Sequence, residues 1–171
     1  MGTVAGLIFT VLLVIGAVGD LRTRRIPNRL VLVIGVFGLI YSLSMQPVIA
    51  GGLRGFAGLL VGLAIWLPFY AFGWVGAGDV KLFAAAAAWL GPMGAVEGAI
   101  VGAIAGAVLA LVWMMKSRGL KETAETLGMA ASSPSLLSPT GPLSRRSTLP
   151  YGIAIAFGAI WAGWLPGLLF A

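Results

Sequence analysis

Apolar residues run in six stretches along the chain, separated by short polar or glycine-rich segments. The stretches are Gly2–Gly19, Leu30–Met45, Gly55–Trp74, Val80–Leu90, Ala95–Met115 and a last one that opens at Pro150 and ends near Phe170. Most approach the roughly 20 residues that an α-helix needs to cross a bilayer. The pattern predicts an all-α, polytopic membrane protein of about six transmembrane helices, with residues 1–171 forming a single membrane-embedded domain.

Polar residues concentrate in one long segment, residues 116–149. Its first part, Ser117–Ala131, suits a short amphipathic surface helix. The following residues, Ser132–Ser147, are rich in serine and proline, which is typical of disorder. We expect this segment to be a partly disordered cytoplasmic loop.

The basic residues are divided unevenly between the loops. When the loops are assigned alternately to the two sides, ten of the 11 Lys and Arg fall on one side and Arg54 alone on the other. The richer side is usually cytoplasmic. This predicts an N-terminus outside the cell and places Asp20 and Asp79 together at the cytoplasmic face. One helix more or fewer between Asp20 and Asp79 would place the two carboxylates on opposite faces of the membrane.

Composition narrows the chemistry that the chain can perform. It is 60% hydrophobic and 9% charged, so the net charge of +6 indicates membrane topology rather than nucleic-acid binding. The absence of cysteine and histidine excludes a cysteine nucleophile, a thiolate zinc site and an imidazole base. Carboxylates, Lys81, hydroxyls and backbone amides remain, and we expect no metal or organic cofactor.

The segment Gly76-Ala77-Gly78-Asp79-Val80-Lys81 places a carboxylate beside an apolar run. Ionisable groups in membrane segments commonly mark functional sites. The run that follows, Val80–Leu90, would span only about 17 Å as a helix, against the ~30 Å of the hydrocarbon core. Either Asp79 lies below the membrane surface or preceding residues join the helix. Both options favour a water-accessible pocket near Gly76–Asp79.

Each candidate residue also has a purely structural interpretation. Asp20 suits a solvated helix boundary, and Asp79 suits a helix cap. Pro27 and Asn28 are typical of a helix start, and Lys81 suits a topology charge.

For other polar and small residues the structural interpretation is favoured. Glu97 falls on the outer side, away from the two aspartates. Gly98, Gly102 and Gly106 recur at the spacing typical of close helix packing.

Asp20 and Asp79 taken together point to an aspartic protease. Two neighbouring carboxylates cannot both ionise easily, so they share a proton. The ionised member activates water, and the protonated member polarises the peptide carbonyl and later protonates the leaving amine. The sequence does not assign the two roles.

Three motifs resemble those of the type IV prepilin peptidases, which are Gly-x-Gly-Asp intramembrane aspartic proteases. They are Asp20 followed by Ile26-Pro27-Asn28, then Gly76-Ala77-Gly78-Asp79-Val80-Lys81, and Leu149-Pro150-Tyr151-Gly152. The chain is most similar to the short peptidases of Flp/Tad pilus systems. The resemblance implies Asp20 and Asp79 as the catalytic pair, and we add as candidate substrate-binding residues Gly76, Gly78, Lys81, Pro27 and Asn28.

The resemblance also implies a substrate and a location. Such enzymes remove the basic leader of prepilin or pseudopilin precursors at the cytoplasmic face of the inner membrane. Larger family members add a cytoplasmic domain, often with paired cysteines, and N-methylate the product. We therefore expect no methyltransferase activity, S-adenosylmethionine or zinc in this chain, and no nucleic-acid partner.

Two alternatives remain open from the sequence. A small transporter or channel component would use Asp20 and Asp79 to bind a cation or relay protons. A structural subunit of a secretion machine would need neither carboxylate.

Overall fold

The computed structural model describes residues 2–23, 26–132 and 151–169, with no side-chain detail for residues 114 and 116–132. The helices in these ranges are α1 (Thr3–Thr23), α2 (Asn28–Met45), α3 (Val48–Ala71), α4 (Ala77–Ser132) and α5 (Tyr151–Trp164). Four of them contain segments long and apolar enough to cross a membrane, and α5 is a shorter apolar helix of 14 residues. The predicted all-α membrane protein is confirmed at this level.

Two predicted helix boundaries are wrong at the N-terminal side of the chain. Helix α1 continues past Gly19 to Thr23, so Asp20 lies inside the helix rather than after it. Helix α3 begins at Val48, whereas the sequence indicated a glycine-rich link before Gly55. Gly51 is a packing residue, because a Cβ there would overlap the Ser42 carbonyl oxygen of α2. The Ser42 hydroxyl also donates a hydrogen bond of 2.8 Å to the Gly51 carbonyl.

Helix α4 reverses direction partway along its length. The ring centroids of Trp66 and Phe83 are 5.8 Å apart, and the same indole lies 3.8 Å from the Cβ position of Gly102. In a straight helix Phe83 and Gly102 would be about 28 Å apart, at ~1.5 Å per residue. One indole contacts both positions only if the chain turns back between them. Gly91, with φ of +75° and followed by Pro92, provides the turn.

The reversal divides the membrane part of α4 into a first limb, residues 77–90, and a second limb, residues 92–113. Glycines allow close packing of both limbs against neighbouring helices. Gly58 and Gly62 of α3 pack against Ala87 of the first limb. Gly98, Gly102 and Gly106 of the second limb pack against α5, which confirms their predicted packing role. Helix α1, in contrast, packs mainly against α5 and only sparsely against α4.

Arg54 caps the end of the first limb. Its guanidinium donates hydrogen bonds of 2.7 Å to the Leu90 carbonyl and 3.4 Å to the Trp89 carbonyl. A Cβ on Gly91 would lie 2.9 Å from the Arg54 Nε, so the glycine also makes room for the guanidinium. A cation is stabilising at the negative end of a helix. The isolated position of Arg54 among the basic residues therefore has a structural explanation.

Replacing Arg54 with methionine is expected to destabilise the protein by about 1–3 kcal/mol, because the two carbonyls lose a charged donor. Thermal unfolding in detergent measures the loss. Arg29→Met is the control, since it removes one exposed cation at the opposite end of the bundle. Equal unfolding midpoints for the two variants would contradict the capping role.

Glu97 fixes the turn that follows α5. Its carboxylate, only 2% exposed, accepts hydrogen bonds of 2.8 Å from the Gly167 N–H and 3.4 Å from the Leu169 N–H. Gly167 adopts a positive φ of 82°, so the chain turns here, and the helix predicted to end near Phe170 stops at Trp164. The structural interpretation of Glu97 agrees with these contacts.

Candidate active site

Asp20 and Asp79 lie at the same end of the helix bundle and line one pocket. Asp20 is in the last turn of α1 and Asp79 in the first turn of α4, and each is 8% exposed. The pocket has a volume of about 360 Å³. Its lining consists of Asp20, Ile26, Asn28, Gly76, Ala77, Gly78, Asp79 and Lys81. The fold therefore brings together two carboxylates that are far apart in the sequence, at the position where the short fourth run predicted a pocket.

The Asp79 side chain is held by the start of its own helix. Gly76 immediately precedes α4, and its N–H donates a 3.3 Å hydrogen bond to Asp79 Oδ2. The Gly76 carbonyl in turn accepts from the Asp79 N–H at 3.1 Å. This is the half of a capping box in which the third helical residue reaches back to the N-cap. A Cβ on Gly76 would lie 3.2 Å from Oδ2, so glycine allows the close approach.

The second oxygen of Asp79 is available for chemistry. Oδ1 is buried and accepts no hydrogen bond from the part of the protein that the structure describes. A buried polar atom without a partner is costly, and a catalytic role is one explanation for it. Capping therefore accounts for only one of the two oxygens.

Asp20 is held by a helix distant in sequence. The N–H of Gly152, in the first turn of α5, donates a 3.1 Å hydrogen bond to Asp20 Oδ2. Asp20 lies close enough to Asp79, and Asp79 close enough to Tyr151, for the charges of these side chains to interact. The first turns of α4 and α5 and the last turn of α1 thus surround the carboxylate pair.

Four of the five candidate substrate-binding residues line the pocket, and one does not. Asn28, Gly76, Gly78 and Lys81 line the pocket, and Pro27 is not among its lining residues. Pro27 instead precedes α2, where its carbonyl accepts hydrogen bonds from the first turn of the helix. This position agrees with the structural interpretation of Pro27. The substrate contacts of the other four remain predictions.

Two pocket residues, Ile26 and Ala77, belong to the quoted motifs but are not among the predicted site residues. Ile26 packs over Gly78, where a Cβ would lie 3.4 Å from the Ile26 Cβ. Its position just before Pro27 was the available signal. Ala77 stands between the two glycines and has no side chain beyond Cβ to suggest a role.

Charge is distributed asymmetrically between the two ends of the bundle. Among the residues whose side chains are described, Arg22, Arg29 and Lys81 lie at the pocket end, whereas Arg54 lies at the end where α4 reverses. The part of the chain that the structure describes contains no group of three or more His, Cys, Asp or Glu residues that could hold a metal ion.

The model of the type IV leader peptidase family matches residues 7–113. This chain belongs to the type IV leader peptidase family. The matched residues include both aspartates and every described residue that lines the pocket, while α5 lies outside the match.

Curated relatives carry the name of the family activity. A prepilin leader peptidase/N-methyltransferase of Pectobacterium carotovorum subsp. carotovorum is 31% identical over 134 residues, covering 71% of this chain and 44% of that protein. One of Neisseria gonorrhoeae with the same name is 32% identical over 94 residues, covering 52% of this chain and 33% of that protein. The chain thus spans less than half the length of these leader peptidases. No solved structure matches it significantly.

Proposed function

We propose that this chain is a membrane aspartic endopeptidase that cleaves the basic leader from type IV prepilin-like precursors. The observation that carries the proposal is the shared pocket of Asp20 and Asp79, each held by a backbone N–H and nearly buried. Membership of the leader peptidase family supports the reaction class, and the names of the relatives support the substrate class.

The pocket geometry suits hydrolysis by an activated water. Two carboxylates in one pocket share a proton, and the ionised member removes a proton from a bound water. The water attacks the scissile carbonyl, whose oxygen is polarised by the protonated carboxyl. That carboxyl then delivers its proton to the leaving amine. Asp79 Oδ1 accepts no hydrogen bond from the described residues, so a water or substrate that enters the pocket can bond it without breaking the bond from Gly76.

The proposed topology has six membrane-crossing segments with the N-terminus outside. The reversal in α4 supports this count, since α1, α2, α3, the two limbs and α5 make six. One crossing precedes Asp20 and three precede Asp79, so both carboxylates lie on the side opposite the N-terminus. The basic residues at the pocket end support a cytoplasmic site in the inner membrane.

The proposed domain is a single peptidase unit, residues 1–171. Helix α4 continues to Ser132, so the first part of the predicted cytoplasmic loop is helical. The remaining part of the predicted loop, residues 133–149, lies outside the described residues.

Cleavage by the purified protein tests the proposal against a transporter function. We expect protein in detergent, with no ion gradient, to cut a precursor at its leader junction. Asp20→Asn is expected to lower the rate by about a thousandfold or more, because it removes one member of the acid–base pair. The asparagine carbonyl still accepts the Gly152 N–H, so the variant should remain folded.

Two results would contradict the proposal. One is a folded wild-type protein that leaves the precursor intact in this assay. The other is an Asp20→Asn variant that cuts as fast as the wild type. Gradient-dependent ion flux without cleavage would instead favour the transporter.

A further inference from the structure

The first turn of α5 presents a spare backbone donor to Asp20. Gly152 is the second residue of α5, and the first N–H groups of a helix have no partner within it. The Gly152 N–H uses this freedom to bond Asp20 Oδ2 at 3.1 Å in a buried contact. Because the donor belongs to a packed helix, the hydrogen bond fixes the carboxylate more firmly than a flexible side chain would.

The absence of a side chain at Gly152 is needed for this contact. A Cβ built there would lie 2.8 Å from Asp20 Oδ2, 3.0 Å from its Cβ and 3.1 Å from its Cγ. Any other residue would push the carboxylate, or α1 itself, away from α5. The neighbouring glycine on α1 differs, since a Cβ on Gly19 would have nothing within 4 Å.

We propose that Gly152 is a positioning residue, which holds the Asp20 carboxylate in its working place relative to Asp79 without touching the substrate. The inference rests on the proposed hydrolysis by the Asp20–Asp79 pair. It also extends the active site to α5, which lies beyond the residues matched by the family model.

A packing role for Gly152 predicts different behaviour. If the glycine served only to let α1 and α5 approach, a methyl group there would lower the stability of the fold and leave turnover by the folded molecules unchanged. If it positions Asp20, turnover falls while folding and substrate affinity are kept. A displacement of about 1 Å at a reacting group is enough to cost on the order of a hundredfold in rate.

The test compares Gly152→Ala with Gly19→Ala, which adds the same methyl group one residue from Asp20 but into open space. Cleavage of a leader-junction precursor in detergent gives kcat and KM per folded molecule, and thermal unfolding gives stability. We expect Gly152→Ala to lower kcat by roughly 10- to 100-fold with KM within about twofold of the wild type. Gly19→Ala should match the wild type in all three quantities.

Three outcomes would overturn the positioning role. They are an unchanged kcat in folded Gly152→Ala, a rise in KM alone, and a variant that does not fold, which would make Gly152 a packing residue. These outcomes count against the positioning role only when the wild type cleaves the precursor and Asp20→Asn and Asp79→Asn do not. If that requirement fails, the proposed function fails instead, so the two failures are distinguishable.

Discussion

Replacing Asp79 with asparagine is expected to lower leader cleavage by about a thousandfold or more while the protein stays folded. The asparagine carbonyl keeps the hydrogen bond from the Gly76 N–H, so the start of α4 is preserved. What is lost is the acid–base function of the pair, including the free Oδ1. Asp79→Ala should lose both the acid–base function and the hydrogen bond from Gly76. The missing cap should also destabilise the protein by about 1 kcal/mol.

The measurement is single-turnover cleavage of a precursor by purified variants, alongside thermal unfolding. Glu97→Gln is the matched control, because it converts another buried carboxylate to an amide at the opposite end of the bundle. Its activity per folded molecule should stay close to that of the wild type. Normal cleavage by Asp79→Asn, or an equal loss in Glu97→Gln, would refute a catalytic role specific to Asp79.

Replacing Gly158 with alanine is expected to cause the largest loss of stability among the glycine substitutions, about 3 kcal/mol or more. A Cβ there would overlap the Gly98 carbonyl oxygen and lie 2.5 Å from the Gly102 nitrogen. Both are backbone atoms, so α5 and the second limb must move apart. Because α5 also carries Gly152, the remaining folded protein should have reduced activity.

Thermal unfolding in detergent and the yield of monodisperse protein measure this effect. Gly52→Ala is the control, since its Cβ would make only an ordinary 3.6 Å contact with the Leu43 side chain. An unfolding midpoint for Gly158→Ala equal to that of Gly52→Ala would show that the two helices separate at little cost.

The sequence predicts most of the helices because each apolar run is long enough to cross a membrane. The turn at Gly91 and Pro92 was also visible, because both residues interrupt an apolar stretch. The start of α3 was missed for a physical reason. Glycines near Gly51 resemble a flexible link, but in membrane helices small residues also allow close packing.

The two aspartates were identifiable because carboxylates are rare in this chain and each lies beside an apolar run. The hydrogen bonds that hold them were not. Both donors, Gly76 and Gly152, belong to the quoted motifs, but they act through backbone N–H groups, which every residue except proline possesses, so the residue type does not reveal the hydrogen bond. The role of Gly152 depends on a contact between α1 and α5 that only the three-dimensional arrangement reveals.

The more extensive packing of α1 against α5 than against α4 has a consequence for inhibition. Since α1 carries Asp20 and the Gly152 N–H of α5 bonds that carboxylate, a movement of α5 changes the separation of Asp20 from Asp79. A lipid-soluble compound that wedges between α5 and the second limb would change that separation. Such a compound would act from within the bilayer rather than from the pocket.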